Sequence, residues 1–209
     1  MEISKNKTLF ILDWDDTLFP TNWVMKNNIN LTIPNSRDRY TIYFEQLDRV
    51  LSSFLKKLLK MGKVVIVTNA LTDWVNVSSE VLPYTYQLLK KVNIVSARGR
   101  YKGKTTQIMD WKILAFRDVI NQEFKNTDLM NVISIGDAEY EYQALISLND
   151  QKKGIKKYLK SIKFLREPTH DTLIDQIQVI TYAINDVWSS DKHLDLKFNN
   201  SKKINKIKN

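Results

Sequence analysis

The chain has 209 residues, with no cysteine, two histidines and a formal net charge of +9. The absence of cysteine excludes disulfides, thiolate catalysis and cysteine-bound zinc, and two histidines are too few for a histidine-rich metal site. Hydrophobic residues make up 43% of the sequence, enough for a core. No apolar run approaches the ~18 residues that a membrane span needs.

The basic excess favours anionic partners, such as nucleic acid, a phosphoprotein or a membrane surface. Lysine supplies 25 of the 32 basic residues, and asparagine is also abundant. This composition is equally typical of AT-rich coding, so the charge alone does not select a partner. Residues 1–7 are polar and show no secretory signal, so we predict a soluble, cytoplasmic protein that does not associate with membranes.

The hydrophobic pattern begins with a strand and continues with alternating helices and strands. Thr8 to Asp13 is a short apolar strand. After it, Ile29, Leu31 and Ile33 alternate with polar residues, which predicts a small hairpin that forms a flap. A helix follows, because apolar residues recur at intervals of three and four: Phe44, Leu47, Leu51, Phe54 and Leu58. Lys63 to Val67 is a second strand with an apolar run.

The second half of the chain repeats this alternation. Three further strands are predicted at Val92–Ser96, Asn131–Ile135 and Ser161–Leu165. Helices are predicted over Leu71–Lys91 with an interruption near Pro83, over Asp110–Phe124, over Glu139–Leu148 and from Leu173 to Val187. Strands separated by helices predict a three-layer, Rossmann-like α/β fold, with a largely parallel sheet of about five strands and helices on both faces.

The C-terminal end of the sequence differs in composition from the rest. From Asp191 onward apolar residues become rare, and six lysines fall between Lys192 and Lys208. We therefore predict one domain over residues 1–190 and a basic, flexible tail over residues 191–209.

Polar residues follow three of the predicted strands. The first strand ends in Asp-Trp-Asp-Asp-Thr (residues 13–17), the second in Thr68-Asn69 and the fourth in Gly136-Asp137, with Glu141 close behind. Ligands of open parallel sheets bind beyond the carboxyl ends of the strands. The pattern therefore predicts that three segments bring four side chains to one edge of the sheet: Asp13, Asp15, Thr68 and Asp137.

The chemistry of this edge favours a metal ion and a phosphoryl group. Clustered carboxylates repel one another and raise each other's pKa unless a cation lies between them. Oxygen ligands without histidine or cysteine favour a hard cation, so we predict Mg²⁺. Lys112, near the start of a predicted helix, adds a positive charge, and Thr68 adds a hydroxyl donor. An aspartate nucleophile that forms an aspartyl-phosphate is chemically reasonable at such a site.

Taken together, these motifs resemble those of the haloacid dehalogenase-like (HAD) superfamily of phosphohydrolases. The superfamily's four motifs are matched, in chain order, by residues 13–17 (Asp-x-Asp-x-Thr), Thr68, Lys112, and Asp137 with Glu141. Asp-x-Asp-x-Thr alone is a moderately specific signal, but four motifs in order and in strand context are far more specific.

The resemblance implies the roles of the acidic residues. Asp13 would be the nucleophile and a metal ligand. Asp15 would protonate the leaving oxygen and then activate the water that cleaves the aspartyl-phosphate, while its backbone carbonyl binds the metal. Asp137 would be the third metal ligand, and Glu141 would orient a metal-bound water or another ligand. Dehalogenases of the superfamily lack the second aspartate, so Asp15 implies hydrolysis of a phosphate ester.

The resemblance also implies a phosphate-binding set. Thr68 and Lys112 would bind the phosphoryl oxygens. Asn69 either contacts the phosphate or shapes the turn after the second strand, and the sequence does not choose between the two. Lys102 and Lys104 are alternatives to Lys112, but they lie in a loop beside glycines, whereas Lys112 begins a periodic helix.

Two further residues of the first motif have structural interpretations. Asp16 is expected to face solvent or to cap the following turn rather than to act in catalysis. Trp14 is expected to pack on the sheet.

Members of the superfamily often carry an inserted cap domain that selects the substrate. Here about 20 residues from Leu18 to Asp38 suffice for a flap but not for a domain. The 43 residues between Thr68 and Lys112 are nearly all used by one helix, one strand and a loop. We therefore expect a capless or minimally capped phosphatase with an open site, suited to a phosphate on a macromolecule or an exposed small phosphate. The alternative is a catalytically silent module that binds nucleic acid or a phosphoprotein through its basic surface.

Overall fold

The computed structural model describes residues 2–125 and 127–207. Its sheet has seven strands in the order β3-β2-β1-β4-β5-β6-β7. The strands are β1 (Thr8–Leu12), β2 (Lys63–Thr68), β3 (Asn93–Ser96), β4 (Leu129–Gly136), β5 (Lys156–Lys163), β6 (Leu194–Asn200) and β7 (Lys203–Lys206). All neighbouring strands are parallel except β6 and β7, which are antiparallel. The predicted Rossmann-like α/β fold is confirmed, with two more strands than the sequence indicated.

Helices cover both faces of the sheet. They are α1 (Thr21–Lys26), α2 (Pro34–Arg37), α3 (Thr41–Met61), α4 (Thr72–Ser79), α5 (Pro83–Leu89), α6 (Ala97–Tyr101), α7 (Ile108–Glu123), α8 (Glu139–Ile146) and α9 (His170–Ser189). Alternate residues of a strand point to opposite faces, so Phe10 and Leu12 of β1 pack with α3 and α9, while Leu9 and Ile11 pack with α7 and α8. Among the described residues, no helix is long and apolar enough to cross a membrane.

The predicted hairpin flap after β1 is wrong. This segment contains α1 and α2, and none of its residues belongs to a strand of the sheet. Ile29 and Leu31 are buried in the core cluster that includes α3, whereas Ile33 is 51% exposed. The alternation of apolar residues therefore reflects two buried side chains, Ile29 and Leu31, which a turn places in the core. A strand with one buried face would show the same alternation.

The prediction of a flexible tail over residues 191–209 also needs correction. Strand β6 pairs with β5, and β7 pairs with β6, while residues 208 and 209 lie outside the described range. Phe198 of β6 is fully buried and packs edge-on against Phe164, with ring centroids 5.2 Å apart. Only one face of β6 reaches the core, so few apolar residues suffice, and its four polar residues explain why the sequence did not predict a strand.

Candidate active site

The strand order places the predicted site residues at one edge of the sheet. Strand β1 lies between β2 and β4, and all three run in the same direction. Asp13 directly follows β1, Thr68 ends β2, and Asp137 directly follows β4. The carboxyl ends of these strands therefore hold the nucleophile candidate, the hydroxyl donor and a metal-ligand candidate next to one another, as the chain order of the motifs predicts.

Lys112 lies at the centre of this edge and is 1% exposed. Its ammonium lies 2.6 Å from Oδ1 of Asp13 and 2.7 Å from Oε1 of Glu141. It also donates to the carbonyl oxygen of Val67 at 2.7 Å. An ammonium has three protons, and these three acceptors satisfy it. Helix α7 thus delivers this lysine to the carboxylates, whereas the ammonium of Lys104 lies over the ring of Tyr101.

The burial of this cluster shifts the pKa values of its members. Burial raises the pKa of Asp13 well above its usual range; the charge of Lys112 opposes this rise, and Glu141 adds to it. Burial lowers the pKa of Lys112, but the carboxylates of Asp13 and Glu141 outweigh it and raise the pKa above its usual value. Burial, followed by the charges of Glu141 and Asp16, raises the pKa of Asp137 to about 7. These carboxyl groups therefore resist being ionised together unless a further cation compensates their charge.

The donor set fits a divalent hard cation. Oxygen atoms of Asp13, Asp137 and Glu141 all lie within 4.8 Å of one another. When ionised, these three carboxylates and the ammonium of Lys112 leave two negative charges uncompensated, and oxygen-only ligands suit Mg²⁺. Both oxygens of Glu141 are already engaged, one by Lys112 and one by the backbone N–H of Ala138 at 3.1 Å. Glu141 is thus better placed to fix the cluster than to bind the metal directly.

Asp15 lies beside the cluster and is partly exposed. Its Oδ1 accepts hydrogen bonds from the Thr21 hydroxyl at 2.6 Å and from the indole N–H of Trp74 at 2.7 Å. Its Oδ2 accepts a longer one from the Thr68 hydroxyl at 3.2 Å. The side chain that the sequence assigns to proton transfer is thus held by the first residue of α1, by α4 and by the end of β2.

The comparison with known families agrees with this geometry. Residues 7–185 match the family model described as NLI interacting factor-like phosphatase. The chain belongs to this family. No curated protein and no solved structure matches the chain. The family is of the HAD type, so the chain is a HAD-type phosphatase, a phosphoric monoester hydrolase, and this prediction is confirmed. Strands β6 and β7 lie beyond the matched residues.

The turn after β1 in this NLI interacting factor-like phosphatase is built around Asp16 and Trp14. Asp16 has a positive φ of 54° and a buried carboxylate, which accepts the backbone N–H of Asn22 at 2.9 Å and its side-chain amide. It therefore anchors the first turn of α1, which is the capping alternative rather than the solvent-facing one. Trp14 is fully buried, and its indole N–H donates to the hydroxyl of Ser78 at 2.9 Å.

The other two residues that the sequence assigns to phosphate binding have different surroundings. The Thr68 hydroxyl accepts the N–H of Ala70 at 2.9 Å, which fixes its orientation towards Asp15. Oδ1 of Asn69 is buried and, within residues 2–125 and 127–207, has no hydrogen-bond partner. Such an atom is costly to leave unpaired, and its lack of a partner agrees equally with a role in phosphate binding and with a role in the turn.

Sequence reasoning assigned no role to three residues of this phosphatase's candidate site. Thr21 and Trp74 contact Asp15 from helices that follow β1 and β2, and no motif spacing indicates either contact. Gly136 precedes Asp137, and a Cβ at position 136 would overlap the side chain of Glu141. The sequence shows a glycine before the aspartate of the fourth motif. The structure explains this glycine, because the side chain of Glu141 approaches its backbone too closely for a Cβ atom.

Proposed function

We propose that this phosphatase is a Mg²⁺-dependent phosphomonoesterase that works through an aspartyl-phosphate on Asp13. The observation that carries the proposal is the contact between the buried Asp13 carboxylate and the ammonium of Lys112, within a cluster of acidic groups and beside Asp15. A carboxylate in this setting is oriented, shielded from water and next to a positive charge that a phosphoryl group also needs.

The first half of the reaction forms the covalent intermediate. Lys112 contacts Oδ1 of Asp13, so we assign Oδ2 as the oxygen that attacks phosphorus. The new bond joins this oxygen to phosphorus while the ester P–O bond breaks. Asp15 gives its proton to the leaving oxygen, so the alcohol departs neutral. We assign the phosphoryl oxygens to the ammonium of Lys112, which would exchange one of its three present acceptors for a phosphoryl oxygen, and to the hydroxyl of Thr68, with the amide of Asn69 beside them.

The second half of the reaction returns the enzyme to its starting state. A water molecule attacks phosphorus of the aspartyl-phosphate, and Asp15, now ionised, takes its proton. The P–O bond to Asp13 breaks and inorganic phosphate leaves. Asp13 and Asp137, with the backbone carbonyl of Asp15, would hold Mg²⁺, and Glu141 would orient this set. When bound, the ion neutralises charge on the phosphoryl oxygens.

The substrate would be a phosphate on a macromolecule or an exposed small phosphate. The segment between β1 and α3 contributes Leu18, Val24 and Leu31 to the core, so it forms part of the body of the fold rather than a separate cap. A site without a cap cannot recognise a small substrate by enclosing it. Recognition would then come from the surrounding surface, and the net charge of +9 on the whole chain favours an anionic macromolecule such as a phosphoprotein or nucleic acid.

Hydrolysis of nitrophenyl phosphate tests the chemistry. We expect turnover with Mg²⁺, loss of turnover in EDTA, and recovery when Mg²⁺ is restored. Mass spectrometry of the acid-quenched enzyme should find one phosphate on the peptide that contains Asp13. Full activity in EDTA would overturn the role of the metal. No hydrolysis of any monoester would instead support the silent-module alternative, which salt-dependent binding of nucleic acid or a phosphoprotein would then test.

A further inference from the structure

Two tryptophans join helix α4 to the loop that carries the two catalytic aspartates. The indole N–H of Trp74, in α4, donates to Oδ1 of Asp15 at 2.7 Å. In the opposite direction, the indole N–H of Trp14, in the loop, donates to the hydroxyl of Ser78 in α4 at 2.9 Å. The Ser78 hydroxyl in turn donates to the carbonyl oxygen of Trp74 at 2.6 Å. The helix and the loop are therefore linked in both directions.

The ring of Trp74 is held in this position by packing. It meets Phe19 edge-on, with ring centroids 6.0 Å apart, and Phe19 stacks on Trp14 at 6.0 Å. Phe19 and Trp14 are fully buried, so this stack is part of the core. An indole N–H is a hydrogen-bond donor only and does not ionise at neutral pH. The structure thus gives Trp74 a fixed orientation and one possible action on Asp15, which is to hold its carboxylate.

The contacts divide the two oxygens of Asp15 between different tasks. Oδ1 accepts two short hydrogen bonds, from Trp74 and from Thr21, and so has no room for a proton. Among the described residues, Oδ2 accepts only the longer contact from Thr68, the residue proposed to bind the phosphoryl group. Oδ2 is therefore the oxygen that can carry the proton, and it faces Thr68.

We propose that Trp74 is a positioning residue, and that with Thr21 it fixes Oδ1 of Asp15 so that Oδ2 delivers the proton to the leaving oxygen. This inference rests on the proposed function, because it needs Asp15 to act as the acid. A misplaced acid slows the reaction in proportion to how much the leaving group needs a proton. The effect of losing Trp74 should therefore depend on the leaving group, whereas a loss of structure would affect all substrates alike.

The experiment compares kcat/KM for two monoesters, an alkyl phosphate with a poor leaving group and nitrophenyl phosphate with a good one. This parameter reports the step in which Asp13 is phosphorylated. Trp74→Phe keeps an aromatic ring for Phe19 but removes the N–H. We expect it to lower kcat/KM for the alkyl phosphate about 10-fold more than for nitrophenyl phosphate. Thr21→Val should shift the ratio in the same direction, and Thr21→Ser should restore it.

Trp14→Phe is the matched control. It makes the same change of ring and removes an indole N–H bond between the same loop and helix, but its donor contacts Ser78 and not Asp15. We expect it to leave the ratio of the two kcat/KM values unchanged. If Trp74→Phe lowers both values by the same factor, as a structural loss would, the inference is overturned. If that variant does not fold, Thr21→Val decides, and an unchanged ratio in Thr21→Val also overturns the inference.

Asp15→Asn separates failure of the inference from failure of the proposed function. An amide cannot supply the proton, so this variant should change the ratio more than any other. If Asp15→Asn leaves the ratio unchanged, Asp15 is not the acid and the proposed function is wrong on that point. If Asp15→Asn changes the ratio but Trp74→Phe and Thr21→Val do not, only the positioning role fails.

Discussion

Two buried lysines, Lys112 and Lys160, lie in regions of this protein that shift the pKa of a lysine in opposite directions. Lys112, in the site, contacts two carboxylates, which raise its pKa. Lys160, in β5, is fully buried and donates to the carbonyl oxygen of Trp188 at 2.9 Å. Burial lowers the pKa of Lys160 to about 8, and the charge of Asp191 only partly opposes this.

The two regions differ in how the charge of the buried lysine is compensated. A buried ion is costly unless opposite charges and hydrogen bonds compensate it. At Lys112 the carboxylates, when ionised, outnumber the ammonium, which agrees with the proposed binding of a cation at this edge. At Lys160 the ammonium has a carbonyl and the ring of Tyr158, 5.8 Å away, and it forms no salt bridge with a carboxylate of residues 2–125 and 127–207. The first arrangement suits the proposed metal binding and catalysis, whereas the second lowers stability locally.

The largest expected effect is that of Asp13→Asn, which removes the proposed nucleophile and one carboxylate partner of Lys112. We expect kcat on nitrophenyl phosphate to fall about 10⁴-fold or more, as for the loss of other nucleophiles. Circular dichroism should show a native fold, because the amide has nearly the same size. A kcat near that of the wild type would assign the nucleophile to another residue.

The next effect is that of Lys112→Met, which tests the region rich in carboxylates. We expect kcat/KM to fall by about 10²- to 10³-fold, as when a preorganised electrostatic donor is lost. Denaturant unfolding in EDTA should show a loss of about 3 kcal/mol in the free energy of unfolding, because buried carboxylates lose their partner. Lys160→Met and Lys104→Ala are the controls, and both should retain most activity. A larger loss in Lys104→Ala would move the phosphate contact to the loop after α6.

Phe198→Ala tests the region around Lys160 without touching any charge. Strand β6 pairs with β5 with Leu194 opposite Lys160, and the buried Phe198 ring anchors β6 to the core. We expect a loss of about 3 kcal/mol in the free energy of unfolding, typical of removing a buried ring. Below the new melting temperature kcat should be unchanged. Tyr182→Ala is the matched control, since Tyr182 is 85% exposed, and equal stability of the two variants would show that β6 is not part of the core.

The most gradual effect is the pH dependence of stability at Lys160. The pKa of its ammonium is about 8 in the folded protein and 10.5 in an unperturbed chain. Between these values the unfolded state binds more protons, so Lys160 should make stability rise with pH, by at most about 1.4 kcal/mol per pH unit. In Lys160→Met this contribution should vanish, and the difference between wild type and variant measures it. A constant difference from pH 7.5 to 10 would contradict the depressed pKa.

Part of the fold and of the site follows from the sequence alone. The α/β class and the first four strands were predictable, because β1 to β4 have both faces covered or carry continuous apolar runs. The predicted position of β5 was displaced because four of its eight residues are lysines, and β6 and β7 were missed because polar residues occupy more than half of their positions. The predicted start of β5 at Ser161 lies five residues after the observed start at Lys156, and Lys160 is buried in the strand where composition suggests solvent.

The sequence by itself determined the superfamily and the segments that form the candidate site, because each motif closes a strand or lies near a helix start, and parallel strands bring their carboxyl ends to one edge. Only the tertiary structure decided which groups touch. It placed Thr21 and Trp74 on Asp15, gave Lys112 two carboxylates and gave Lys160 a backbone carbonyl instead. Such contacts join residues that are as many as 99 positions apart, as Lys112 and Asp13 are, and depend on packing angles that local patterns do not encode.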